Sequence, residues 1–375
     1  MKVQECFNNL KKILKEKKIE LITVRDALKL NKTALKQLAF KSLKYEIAEN
    51  INFDKTSKEY KTFLKYTKDE YKQEVIDKLS EDQLIDVILN NPKYTLQPTK
   101  LNTFIEPKII SFNPLGGLVF CRDQQITTKK GLVIGRARSS QRDGEHIIMK
   151  QVFENINVNI LGKVSKDYDE NAFLEGGDFF VAKPDLSMLG VGLRTSMKGA
   201  EYIMKNDFLG TRYMAIIYDG EDKDQQRMHL DTYFNILSDK YVIVLDFDDV
   251  QKYYPDKKIE RKVYLYDNEA NDSIESDNFE VPKIIGRYKL INIYEKFYYF
   301  LEKRLKYKLI KVTHKQQMEY MINFLNLGNN EVISVNKDLK KVGKESNTNI
   351  TFLEFKPILN MYGAIHCITQ VSRVD

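Results

Sequence analysis

The chain has 375 residues, enough for one large or two smaller domains with a proper core. Its 60 Lys and Arg face 53 Asp and Glu, a formal net charge of +7 with the signs interleaved, which describes a solvated surface and speaks against a nucleic-acid-binding stripe. Three cysteines (Cys6, Cys121, Cys367) make no disulfide framework, no apolar run is long enough to span a bilayer, and the N-terminus lacks a signal-peptide core, so a soluble, cytoplasmic protein is expected.

Residues 1–17 have apolar side chains (Val3, Phe7, Leu10, Ile13, Leu14) at helical spacing, and 18–24 alternate as a strand would. From about 25 to 100 the pattern is helical throughout. Asn31 and the capping box from Ser80 to Gln83 mark helix starts, and Asn90-Asn91-Pro92 marks a stop. Beyond Pro107 short apolar strands recur, at 117–121, 131–134, 179–181, 187–191, 213–218, 241–245, 308–312, 331–335, 349–355 and 364–371. Helices are expected at 144–155, 196–206, 291–306 and 315–325. This strand, strand, helix, strand rhythm predicts a repeated α/β module, not one doubly wound sheet. There is no glycine-rich phosphate loop.

Four clusters carry chemistry: Phe120-Cys-Arg-Asp123, Leu174-Glu-Gly-Gly-Asp178, Met228-His-Leu-Asp-Thr232, and Cys367 behind the turn Tyr362–Ile365. Read singly, each has a plain structural explanation: a surface ion pair, a turn, a core histidine, a buried thiol. Read as a strand, the third cluster puts His229 and Asp231 on one face. An imidazole and a carboxylate there, with a cysteine and a glutamate from elsewhere, are an inventory for thiol chemistry on a cationic group.

The ordered set, with Gly190 to Ser196 and the tail His366-Cys367-Ile-Thr369 added, resembles the arginine deiminases. The resemblance covers nearly the whole chain. It implies a pentein-type α/β propeller of five ββαβ modules, the first truncated, formed by 1–26 and 101–375, with an α-helical insertion at 27–100. It further implies that Cys367 is the nucleophile attacking the guanidinium carbon of L-arginine. His229 would protonate the leaving ammonia and then activate water. Glu175 would hold His229 and a guanidinium nitrogen, and Asp123 and Asp231 would grip the guanidinium. Asp178 falls among the substrate-binding positions, and Arg142 and Arg194 stand where the family holds the substrate α-carboxylate, favouring arginine over agmatine.

No metal or organic cofactor is expected; the three cysteines and four histidines offer no zinc-like spacing. Neither a nucleic acid nor a membrane is an expected partner, and a homo-oligomer is compatible with the sequence. The chain departs from the family in opening at the first helix, in having Gly117 where an Asn is usual, in lacking an Arg-Asn-Thr segment between Glu331 and Cys367, and in a stiffer approach to the thiol. Two alternatives therefore stand beside an active arginine deiminase: a related guanidine hydrolase or amidinotransferase with another substrate, and a non-catalytic arginine-binding paralogue.

Overall fold

A computed structural model describes residues 2–101, 103–220, 222–257, 259–274 and 280–372; the last three residues of the tail, 373–375, lie outside them. The chain forms two compact units, one of Met1–Leu21, Val119–His146 and Val158–Asp375, the other of Ile22–Leu118 and Ile147–Asn157.

The first unit is α/β. A ββαβ order occurs four times along the chain, each time as an antiparallel hairpin whose second strand also pairs with a parallel strand reached by a crossover; the strands all lie in the first unit, and most of the first crossover helix is assigned to the second. The hairpins are Gln125–Thr127 with Leu132–Ile134, Phe179–Lys183 with Leu186–Val191, Phe234–Ile236 with Tyr241–Leu245, and Leu325–Gly328 with Glu331–Ser334. The parallel partners are Ile160–Lys163, Tyr213–Tyr218, Lys308–Val312 and Asn349–Phe352. A parallel return needs a crossover, and helices Glu145–Asn155, Met197–Lys205, Phe247–Tyr253 and Leu339–Ser346 supply it. The third crossover is long. Its strands Lys262–Asp267, Ile284–Ile285 and Tyr288–Tyr294 extend the second sheet to six strands. Leu186–Val191 is buried along its whole length, as suits an apolar strand covered on both faces.

Helix Val3–Glu16 buries Cys6, Leu10 and Leu14, one stripe at i, i+4, i+8, against Ile333, Phe355, Ile365 and Ile368. That packing lies beside the turn that carries Cys367. Fully burying each leucine is worth about 2 kcal/mol.

Several expected elements take another form. Residues 19–23 make no ladder: Lys18 has φ 59°, and the alternation instead sets Ile19 and Leu21 against the core. The segment 25–100 is not wholly helical. Lys44–Ile47 and Pro92–Pro98 pair in parallel, and Ile105–Phe112 completes a three-stranded sheet in the second unit. Asn91, left-handed at φ 45°, and Pro92 end the last helix and turn the chain into that sheet. Residues 117–121 form turns, and 291–306 divide into strand Tyr288–Tyr294 and a helical segment from Phe297. The helix expected at 315–325 is short, His314–Met318, because Tyr320 adopts φ 60°. The tail 364–371 is not a strand: Ile368 N–H bonds Ala364 O at 3.3 Å, which coils it into a turn. Among the described residues no helix is long and apolar enough to cross a membrane.

Candidate active site

All eight residues singled out in the sequence lie in the first unit. Asp123 sits in the turn before Gln125–Thr127, and Glu175 opens the 3-10 turn Gly176–Asp178 that leads into Phe179–Lys183. The two turns are stitched together by Gly176 N–H to Asp123 O at 3.0 Å. A Cβ on Gly176 would fall 2.1 Å from the carbonyl oxygens of Arg122 and Gln125, so only glycine permits this approach. Gly177 is as constrained: a Cβ there would lie 2.8 Å from the His229 ring.

His229 and Asp231 are not strand neighbours. His229 is extended, and Leu230–Thr232 form a 3-10 turn. Two contacts impose this: Leu230 N–H donates to Asp178 Oδ1 at 2.9 Å, and the Thr232 hydroxyl donates to His229 O at 2.6 Å. The two side chains therefore enter different clusters.

In the first cluster His229 Nε2 meets Glu175 Oε2 at 2.9 Å, and its Nδ1 lies 3.9 Å from Asp123 Oδ1. Glu175 Oε1 accepts Arg138 N–H at 2.9 Å. In the second, His366 Nδ1 meets Asp231 Oδ2 at 2.7 Å, with its ring stacked on Phe180. Cys367 Sγ lies 3.7 Å from the same Asp231 oxygen and 3.1 Å from Asn323 Nδ2. Arg122 joins the clusters in space: its N–H donates to Cys367 O at 3.0 Å and its Nε to His366 O at 3.1 Å, one residue before Asp123.

Arg142 donates from Nη1 to Asp123 Oδ2 and from Nε to Glu145 Oε2, both at 2.8 Å. Arg194 donates from Nη2 to Gln225 Oε1 at 2.9 Å, and its buried Nε has no acceptor among the described residues. Both Asp178 oxygens accept backbone N–H groups, from Leu230 at 2.9 Å and Thr195 at 3.3 Å, tying down the His229 turn. Asp123 Oδ1 and Asp231 Oδ1 are buried and have no hydrogen-bond donor among the described residues.

Burial opposes charge on His229, but Asp123, Glu175 and Asp178 outweigh it and raise its pKa to about 10. Burial likewise opposes the Glu175 charge, yet the bond and charge of His229 bring it down to about 2. The pair is thus carboxylate and imidazolium. Burial depresses His366, so beside a carboxylate held below its usual range it stays a neutral donor. Burial, Asp231 and Asp123 push the Cys367 thiol well above its ordinary value. Burial also raises Asp178, to about 7.

Asp123, Glu175 and His229 each offer a ligand atom, all within 4.8 Å of one another. A metal ion suits them poorly. The imidazolium presents N–H groups, not a lone pair, and the Arg142 cation already rests on Asp123. Two carboxylate oxygens without donors, near a thiol, suit a flat cation rich in N–H groups.

Four further residues belong to the site. His366 adjoins the thiol in sequence, but its bond to Asp231 spans 135 positions and leaves no local pattern. Glu145 lies three residues from Arg142, a helical spacing that hints at their pairing. Asn323 and the inward turn of Arg122 carry no signal in a single sequence.

The chain is thus an α/β protein of repeated ββαβ units, with Asp123, Glu175 and Asp231 in the turns that open its hairpins and the Cys367 thiol and two imidazoles beside them. A family profile described as arginine deiminase matches residues 2–373. The chain belongs to the arginine deiminase family. Relatives include an arginine deiminase of Pediococcus pentosaceus, 30% identical over 128 residues (34% of this chain, 31% of that one), and arginine deiminase 1 of Staphylococcus epidermidis, 26% identical over 223 residues (56% and 53%). The chain thus matches between about a third and about a half of the length of these relatives. Among solved structures, the N-terminal domain of ArgZ, an arginine dihydrolase from cyanobacteria, aligns with a TM-score of 0.47 at 18% identity, covering 74% of this chain and 78% of that one.

Proposed function

We propose that this protein hydrolyses L-arginine to L-citrulline and ammonia through a covalent intermediate on Cys367. One observation carries the reading: among the described residues the buried Oδ1 atoms of Asp123 and Asp231 have no hydrogen-bond donor, and Asp231 lies beside a thiol. A guanidinium offers N–H groups to both and adds positive charge where the thiol needs it.

As that cation enters, the Cys367 proton passes to solvent and the thiolate attacks the guanidinium carbon, forming a C–S bond. A C–N bond then breaks, and the leaving nitrogen departs as ammonia with a proton from the His229 imidazolium. The neutral imidazole next takes a proton from water. The hydroxide adds to the same carbon, the C–S bond breaks as the added hydroxyl loses its proton to solvent, and the ureido product and thiolate separate. Glu175 keeps His229 oriented and charged for the first step. Arg194, with an unengaged Nε, is assigned to the α-carboxylate, together with Arg142 once substrate draws it off Asp123. Asp178 acts on the substrate through the turn it ties down. The five-fold propeller closure remains part of the same proposal.

The test is a colorimetric ureido assay on L-arginine and on agmatine. Wild type is expected to form citrulline and Cys367→Ala none. Turnover of agmatine alone, or of neither compound, overturns the reading.

A further inference from the structure

Asn323 is 4% exposed and lies between the short helix His314–Met318 and strand Leu325–Gly328. Its orientation follows from its neighbours. Oδ1 accepts the backbone N–H groups of His366 at 3.2 Å and Cys367 at 3.4 Å. A flipped amide would set its NH2 against those two donors, so Nδ2 must be the atom facing Cys367 Sγ at 3.1 Å. The remaining Nδ2 contact is Asp231 O at 3.4 Å. The residue is also held in place: Asn235, buried, donates from Nδ2 to Ile322 O at 2.8 Å and Phe324 O at 2.9 Å, gripping the backbone on both sides.

Resting on the proposed role of Cys367, we infer that Asn323 is a further catalytic residue, whose amide N–H donates to the Cys367 sulfur and supports its thiolate while its carbonyl fixes the turn that presents it. Burial and the carboxylates oppose an anion on that sulfur, the backbone at Ala364 and the Asn323 amide favour it, and Asn323 is the side chain that donates to it. Asp231 is a carboxylate 3.7 Å away, and burial acts in the same direction, whereas the Asn323 donor lowers the thiol pKa. A neutral amide suits this position. A lysine or arginine there would compete with a cationic substrate for the same carboxylates, whereas an amide donates without adding charge.

The test separates donor from acceptor. Asn323→Asp keeps the shape and the acceptor for both backbone N–H groups but replaces the donor with a carboxylate. Alkylation by iodoacetamide at pH 8.5, read by peptide mapping, reports each cysteine. At fixed pH below the thiol pKa the rate falls tenfold for each unit the pKa rises. Cys367 is expected to react at least tenfold more slowly in N323D, and Cys121, which donates to Ile368 O, at an unchanged rate. Cys6, 0% exposed in the core, reports misfolding by becoming reactive. Should N323D expose it, Asn323→Ala must still slow Cys367 roughly three- to tenfold. A Cys367 rate within about twofold of wild type in a folded variant overturns the inference. The alkylation readout needs no substrate, so a wild type that forms no citrulline counts against the proposed reaction and leaves this assignment to be judged by its own rates. In an active wild type, kcat must fall with the alkylation rate.

Discussion

The pairing of His229 with Glu175 makes a prediction about stability as well as reaction. His229 titrates at about 10 against an ordinary 6.5. At about 1.4 kcal/mol per unit, the charged form is favoured in the folded protein by roughly 5 kcal/mol, shared among Asp123, Glu175 and Asp178. The Glu175 shift, to about 2, describes the same pair from the acid side and is not added. Glu175→Gln keeps the shape and removes the charge of the carboxylate hydrogen-bonded to the ring at 2.9 Å. It should cost about 2 kcal/mol near neutral pH. Because the folded pKa of His229 is raised, its contribution is complete below pH 6.5 and is lost as pH rises through 10. The gap between wild type and variant should therefore be full from pH 6 to 8 and close towards 10. Equilibrium urea unfolding at pH 6, 8 and 10 measures it. A gap that is absent at pH 6, or that widens with rising pH, refutes the ion-pair assignment.

Gly177→Ala places a Cβ 2.8 Å from the His229 ring and should lower kcat at least a hundredfold, with a smaller change in the urea midpoint; steady-state kinetics beside unfolding curves check this. Asp222 accepts from buried Arg227 at 2.5 Å and buried Arg261 at 2.9 Å on the approach to the His229 turn, so Asp222→Ala should destabilise by about 3 kcal/mol or more. Burial opposes the Asp222 charge, but both arginines bring its pKa down to about 2, so the wild-type share of that stability holds above the ordinary carboxylate range and fades as pH falls towards 2, which acid unfolding would follow. Arg194→Ala should raise KM for L-arginine at least tenfold and leave any slow turnover of agmatine unchanged; equal losses on both substrates would remove Arg194 from carboxylate binding.

Much of the architecture is legible in the sequence because it rests on local signals. The continuous apolar runs at 186–191, 213–218 and 241–245 are strands buried on both faces, and the capping box at Ser80 starts a helix. The failures come from long-range capture of the backbone. The alternation from Met228 to Thr232 reads as a strand, but Asp178, fifty-two positions earlier, takes the Leu230 N–H and winds the segment into a turn. The apolar tail reads as a strand as well. There Asn323 takes the N–H groups of His366 and Cys367, leaving none for a ladder at that point. The chemically active residue types stand out in the string. The meeting of Glu175 with His229 is one the resemblance implies, whereas the turn of Asp231 to His366 leaves no mark in the string.

The central claim is that Cys367 becomes covalently bound to substrate carbon. Acid quenching during turnover of guanidino-labelled L-arginine, followed by peptide mass analysis, tests it most directly. The peptide containing Cys367 should gain the mass of arginine less ammonia and retain the labelled carbon, with Cys6 and Cys121 unmodified. Citrulline formation with no such adduct, or citrulline made by Cys367→Ala, would contradict the account.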